Sequence, residues 1–280
     1  MHDGGYRGCV PATPAGTAFG PRRPARRSDH GRGDAAYARG TSPPLALFDW
    51  DNTLHAGWTL EGWVDYLVAH GIVTREREAV WIERKRRYAR GEIDHNQLAV
   101  EANGDYARGM TGWSLQQAAP LVQQFVAEID HLHVYPWVAP LLHWLAGRGL
   151  RAVVISGAPQ EILAEHVRHL GVHGVDIHGL TLTVDSNGRF AGGLAANDGT
   201  DGSKRALLRH LSATAGPVVL GVGDSVSDLP LLEAARRQLV VGPQSQALSD
   251  ELGPTAASVG NPAGASVEEM IDLVRSMLSP

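Results

Sequence analysis

Two apolar runs, residues 151–159 (RAVVISGAP) and 217–225 (PVVLGVGDS), constrain the fold of this chain more than any other feature. Each closes on small or acidic residues, and each is followed by an amphipathic helical segment, over 161–171 and 228–236. Strands buried on both faces read as continuous apolar runs, and parallel strands need a long crossover between them, usually a helix. The alternation therefore predicts an α/β protein with a parallel sheet covered by helices on both faces. Residues 45–54 (LALFDWDNTL) supply a further strand, and 201–211 (DGSKRALLRHL) read as the opening turns of a helix that leads back into the sheet. Residues 177–193 read as a β-hairpin turning at Asn187-Gly188, a dipeptide that tolerates the positive dihedrals of a tight turn.

Residues 59–128 break the alternation. The segments 59–70, 74–90, 94–103 and 114–129 carry apolar residues at three- and four-residue spacing and open on Thr59, Thr74, Asp94 and Ser114, each placed to act as an N-cap. They predict an all-helical insert. A fifth helix follows over 136–149, with Pro136 near its first turn and Gly149 closing it. The expected organisation is a tail over 1–42, a core over 43–57 and 130–280, and a helical domain over 58–129. The tail is rich in Gly, Pro, Ala and Arg and has no hydrophobic period, so it is expected to be disordered. Its pairs Arg22-Arg23 and Arg26-Arg27 are read as solvated rather than as a targeting arm.

The formal charge of −5 is unevenly spread: residues 1–40 hold seven arginines and three acids, a local +4 that leaves −9 on the remainder. A body that acidic argues against a nucleic-acid groove. The single cysteine, Cys9, lies in the tail, which excludes an internal disulfide framework and a thiolate metal site and suggests a reducing compartment. No apolar run reaches the roughly 18 residues of a spanning helix, and the N-terminus lacks the apolar core of a signal peptide. The expectation is a soluble, cytoplasmic protein with no membrane partner; the sequence leaves its oligomeric state open.

In an open parallel sheet, ligands bind beyond the carboxyl ends of the strands. The residues at those ends are Asp49, Asp51 and Thr53 after the first strand, Ser156 and Gly157 after the second, and Asp224, Ser225 and Asp228 after a later one, with Lys204 at a helix start. Four carboxylates on one rim need a cation, and hard oxygen ligands favour Mg²⁺. One lysine, one serine and free backbone N–H groups suit an anion, most simply a phosphate. A carboxylate beside a held phosphate can attack phosphorus in line, and a second can move the proton.

In order and spacing, DWDNTL at 49–54, the strand ending at Ser156, Lys204 and GDSVSD at 223–228 resemble the four motifs of the haloacid dehalogenase-like (HAD) hydrolase superfamily, over about residues 45 to 245. The resemblance implies a Rossmann-like parallel sheet and a phosphate-ester chemistry. It implies Asp49 as nucleophile and Asp51 as general acid/base, with the Asp51 carbonyl also on the metal. Thr53, Ser156 and Lys204 would hold the phosphate, with Gly157 beside them as a substrate-binding residue; Asp49 and Asp224 would bind Mg²⁺, and Asp228 would bind it directly or support its shell. The helical insert lies where the family's C1 caps lie and looks like the phosphoserine-phosphatase-like branch. The family's true dehalogenases lack the second aspartate, so Asp51 favours a phosphomonoesterase acting on a small phosphorylated metabolite.

One departure bears on substrate. Phosphoserine phosphatases of the family carry a glutamate nine residues after the nucleophile; here Trp58 stands at that position and the nearest acid is Glu61. Both are candidate substrate-binding residues. The remaining cap aromatics, Trp63, Tyr66, Trp81, Tyr88 and Trp113, are expected in the cap's own core, the basic run 84–90 on a solvated helix face, and the thirteen histidines at surface or core positions rather than a zinc site. Phosphoserine, histidinol phosphate and sugar phosphates fit the core equally. A phosphotransferase or mutase on the same core, and a non-catalytic HAD-fold binding protein, stand as alternatives.

Overall fold

The run LALF forms β1 (Leu45–Phe48), with all four side chains fully buried. Ala46 and Phe48 enter one apolar cluster and Leu45 and Leu47 another, as the two-residue period of a strand between two layers requires. The computed structural model describes residues 42–196 and 199–279, so the expected tail, with Cys9 and the arginine pairs, lies almost wholly outside the described residues.

Between β1 and the next strand come α1 (Thr59–Ala69), α2 (Arg75–Ala89), α3 (His95–Gly109), α4 (Leu115–Glu128) and α5 (Val138–Gly147). The caps divide. Asp94 accepts from the Gln97 N–H and Ser114 forms a reciprocal capping box with Gln117, whereas the expected caps Thr59 and Thr74 accept no capping N–H. Trp58 occupies the cap position of α1, and Thr59 turns its hydroxyl elsewhere. Helix α3 continues six residues past its expected end. Helices α1 to α4 bury Leu60, Trp63, Leu67, Leu98, Tyr106 and Phe125 in one cluster, which also takes in side chains from beyond the helical segment, Ile162, Leu180 and Phe190.

The sheet continues with β2 (Arg151–Pro159), α6 (Gln160–His169), β3 (Asp176–Val184) and β4 (Phe190–Ala196). Strands β3 and β4 form the expected hairpin; Gly188 at its turn has φ 73°, and Asp185 Oδ1 accepts from the N–H groups of Asn187 and Arg189. Then follow α7 (Asp201–Thr214), β5 (Val218–Gly223), α8 (Leu229–Ala234), β6 (Gln238–Val241), α9 (Ser245–Leu252), β7 (Ala256–Val259) and α10 (Val267–Leu278). The last four elements have no counterpart in the sequence reading. Strands β6 and β7 are four residues each, too short for a period to declare itself, although α10 is clearly amphipathic.

The seven strands are ordered β4-β3-β2-β1-β5-β6-β7, parallel except for β4. The chain leaves β1 first towards β2 and later towards β5, so the strand order reverses at β1 and opens a crevice at the carboxyl ends of β1, β2 and β5. Helices α5, α6 and α10 cover one face through Leu141, Leu145, Leu163, Met270 and Val274, and α7 and α8 the other through Leu208, Leu211 and Leu231. The segments entering and leaving α1–α4 run side by side: Ala56 donates its N–H to the His133 carbonyl at 2.8 Å and Tyr135 to the Leu54 carbonyl at 3.1 Å. Among the described residues, no helix is long and apolar enough to cross a membrane.

Candidate active site

Immediately after β1 the chain makes a tight turn in which Thr53, Leu54 and His55 all donate their N–H groups to the Trp50 carbonyl. Asn52 adopts the left-handed region, φ 59°, tolerated by a short side chain that can bond locally, and its Oδ1 accepts from the Gly57 N–H at 3.1 Å. The turn leaves Asp49 buried against the crevice.

Lys204, from the first turn of α7, binds two of the carboxylates. Its Nζ donates to Asp49 Oδ1 at 3.1 Å and to Asp228 Oδ1 at 2.6 Å, and all three residues are at least nine-tenths buried. Asp228 ends the one-turn 3₁₀ stretch after β5, where its Oδ2 accepts from the Asp224 and Ser225 N–H groups at 3.0 and 3.3 Å. A side chain at Gly223 would place its Cβ 2.5 Å from the Asp228 Cβ, so only glycine lets the loop fold back this closely. Asp49, Asp224 and Asp228 offer oxygens all within 4.8 Å of one another.

The electrostatics follow from burial and crowding. Burial first and the Asp228 charge second push the Asp49 carboxyl up to about 7. The same two causes push Asp224 up to about 9. Burial acts on Asp228 in the same direction, but Lys204 and its backbone donors outweigh it and hold this carboxyl below its usual range. Burial works against the Lys204 charge, yet Asp228 and Asp49 together raise its pKa. Lys204 thus outweighs burial at Asp228, but not at Asp49, which it also contacts, nor at Asp224. Three clustered carboxylate oxygens, two of them prone to protonation because they are buried beside a third charge, are a donor set that suits a hard divalent cation such as Mg²⁺.

Asp51 is held differently. Its Oδ1 accepts from the Thr59 hydroxyl at 2.6 Å and the Thr59 N–H at 3.0 Å, and the same hydroxyl accepts from Trp50 Nε1 at 3.0 Å. Burial raises the Asp51 pKa above the usual carboxylate value, against the pull of His55 and Thr59. Thr59 was not among the expected site residues; a threonine at a helix start carries the same sequence signal whether it caps the helix or binds a neighbouring loop.

Of the candidate residues, Asp49, Asp51, Trp58, Ser156, Gly157, Lys204 and Asp224 line one cleft of about 200 Å³, whereas Asp228 is buried out of its lining and reaches it through Lys204. Ser156 and Gly157 lie in β2 where its register with β3 shifts, between Ile155 and Pro159, and Ser156 Oγ accepts from the Ala158 N–H at 3.1 Å. Thr53 is fully buried outside the cleft lining, and among the described residues its Oγ1 has no hydrogen-bond partner. Glu61 is not brought to the cleft, being ion-paired with Lys85. Trp63, Tyr66 and Trp81 are buried in the helical core as expected, with Tyr88 packed against it, and Trp81 and Tyr88 also border the cleft because α2 turns one face to it. The basic run is solvated and paired, Arg84 with Glu101 and Asp105 and Arg90 with Glu83 and Glu92.

Two of the histidines form a cluster that no local spacing announces. His55 Nε2 and His166 Nε2 lie 3.2 and 2.8 Å from separate oxygens of Asp130, all three residues being buried. The two imidazoles hold Asp130 at about 2 against its burial. The trio ties together the segments that enter and leave α1–α4 and fastens them to α6; each Nε2 is on its own Asp130 oxygen, while the buried His166 Nδ1 has no hydrogen-bond partner among the described residues.

The profile of the haloacid dehalogenase-like hydrolase family matches residues 46–233. A histidinol-phosphatase of Neisseria meningitidis is 27% identical over 209 residues, which is 72% of this chain and 91% of that protein. Among solved structures, a protein of unknown function from Bordetella pertussis has a TM-score of 0.62 at 21% identity, over 77% of this chain and 98% of that one. A phosphoserine phosphohydrolase-like protein from Francisella tularensis has a TM-score of 0.58 at 16% identity, over 82% and 99%. With the sheet order, the clustered carboxylates and a match that spans all four motifs, the chain belongs to the haloacid dehalogenase-like hydrolase family.

Proposed function

We propose that this protein is a Mg²⁺-dependent phosphatase that hydrolyses a small phosphomonoester through a phosphoaspartyl intermediate on Asp49. The observation that carries the reading is the convergence of Asp49, Asp224 and Asp228 about Lys204, with Asp51 separately held by Thr59 at the same cleft. The relative named for histidinol phosphate supports a phosphomonoester as substrate class.

Asp49, the Asp51 carbonyl and Asp224 would hold Mg²⁺, with Asp228 supporting them. When bound, the ion neutralises the crowded carboxylates and draws charge from the phosphoryl oxygens. Thr53, Ser156, the Gly157 N–H and Lys204 orient the phosphoryl group, and the buried, unpartnered Thr53 hydroxyl is free to turn to one of its oxygens. The Asp49 carboxylate attacks phosphorus as the bond to the alcohol oxygen breaks, and Asp51 gives its proton to that oxygen. Asp51, now ionised, takes a proton from water as the water attacks phosphorus; the acyl-phosphate bond breaks, returning Asp49 and inorganic phosphate. The raised Asp51 pKa suits a group that must start protonated. Residues 58–129 act as a cap over this chemistry, shielding it from bulk water.

The test is hydrolysis of p-nitrophenyl phosphate by Asp49→Asn. It is expected to be lost while the far-ultraviolet circular dichroism is unchanged, and wild-type turnover in that variant would sink the mechanism. Wild-type turnover is expected to stop in EDTA and return with Mg²⁺.

A further inference from the structure

The wall that the helical segment contributes to the cleft carries four rings among the smaller side chains Leu60, Leu98, Ala99, Ala102 and Asn103. Trp58 enters ahead of α1, Trp81 and Tyr88 from α2, and His95 from the start of α3. The Trp58 ring lies 6.3 Å from Trp81 and 6.2 Å from Tyr88, tilted by 52° and 46°, and Tyr88 meets His95 edge-on at 6.4 Å. Trp58, Tyr88 and His95 are half-buried and Trp81 is 7% exposed, so neighbouring rings border the cleft beside the carboxylates.

The charges near this wall are already engaged. Glu61, the acid nearest Trp58 in sequence, is paired with Lys85 and does not line the cleft. The Lys85 ammonium in turn sits over the Trp58 ring, 5.1 Å from its centroid. A ring attracts a cation through its quadrupole, so one ammonium already in place repels a second and leaves less for it to gain. The charged residues that do line the cleft, Asp49, Asp51, Asp224 and Lys204, belong to the phosphate end. His95 is held towards the neutral form by burial and by Lys204. Among the described residues, the alcohol end therefore offers a substrate neither a free carboxylate for an ammonium nor a guanidinium for a carboxylate.

We infer that the alcohol part of the substrate carries an uncharged aromatic ring, and that Trp58, Trp81 and Tyr88 select it by stacking. The inference rests on the phosphatase reading and narrows its substrate class. It disfavours amino-acid phosphates, whose ammonium and carboxylate would enter the cleft unpaired.

The test compares kcat/KM for 2-phenylethyl phosphate and 2-cyclohexylethyl phosphate with Mg²⁺ present. The two alcohols are near-equal leaving groups of similar apolar area, so the ratio isolates ring against ring. An aromatic contact adds about 2- to 12-fold beyond area burial, so a preference of roughly tenfold for the phenyl ester is expected. O-phosphoserine and phosphocholine are expected to fall below the phenyl ester, and in Trp58→Leu and Tyr88→Leu the phenyl-to-cyclohexyl ratio should drop towards one. A wild-type ratio near one, or a preference for O-phosphoserine or phosphocholine, overturns this inference and leaves the phosphatase reading standing. Failure to turn over any ester with Mg²⁺ present overturns both.

Discussion

Replacing Thr59 by valine removes one hydroxyl at nearly constant volume, at a position with no solvent exposure. That hydroxyl has two partners. It accepts from Trp50 Nε1, whose residue is 1% exposed, and donates to Asp51 Oδ1 at 2.6 Å. In the valine variant the indole N–H is left buried without a partner, which costs about 1–3 kcal/mol, and a carboxylate loses a charge-assisted bond of similar size. The two losses share one atom and do not add fully, so a destabilisation of roughly 2–4 kcal/mol is expected. For a folded body of this size that lowers Tm by about 5–15 °C. The Thr59 N–H still reaches Asp51 at 3.0 Å, so the carboxylate is loosened rather than released. Its kcat effect should depend on the leaving group: about 10- to 100-fold for an alkyl phosphate, whose oxygen needs a proton, and less for p-nitrophenyl phosphate, which does not. Differential scanning calorimetry and paired kinetics measure both. An unchanged Tm, or equal losses on the two substrates, would refute the assignment of Thr59 as the group that positions Asp51.

Two further outcomes follow from the carboxylate cluster. Lys204→Met is expected to destabilise by about 3–5 kcal/mol, because it leaves the fully buried Asp228 without its counter-charge, and Lys204→Arg should not restore it, since a planar guanidinium does not fit between Asp49 and Asp228 as a compact ammonium does; urea denaturation reads both. In EDTA, stability should fall as pH rises. Asp49 and Asp224 bind their protons more tightly folded, at about 7 and about 9, than unfolded near the ordinary carboxylate value, so their contribution is full below that value and lost as pH rises through 7 and then 9. Adding Mg²⁺ should therefore raise Tm more at pH 8.5 than at pH 6, and a metal-free Tm that stays flat over that span would count against the clustering.

Much of the core was legible because its elements declare themselves locally. The runs at 45–48, 151–159 and 218–223 are apolar on both sides, which only a strand between two layers needs, and each ends where the chain meets the crevice. The helical segment was legible from its three- and four-residue spacing, but not which face of α2 would turn inward. A ring packs equally well in a core or on a cleft wall, and Trp81 does both, buried in the helical core while bordering the cleft. Thr59 looked like a helix cap, because the hydroxyl that binds Asp51 and the hydroxyl that caps a helix carry the same sequence signal. The His55–Asp130–His166 cluster left no trace at all, its members being 75 and 36 residues apart.

By itself, the sequence determined the parallel α/β core, the position of the helical insert, and the identities of the carboxylates and the lysine at the strand ends. Those properties are carried by residues near one another along the chain, where periodicity and side-chain chemistry act directly. Only the tertiary structure decided which charges are balanced: Lys204 satisfies Asp228 and part of Asp49, Thr59 holds Asp51, Lys85 takes Glu61 away from the cleft, and α2 presents its rings to it. Pairing over long separations depends on how elements pack, and in a buried site it is pairing that fixes both the strength of a charge and the kind of molecule that fits beside it.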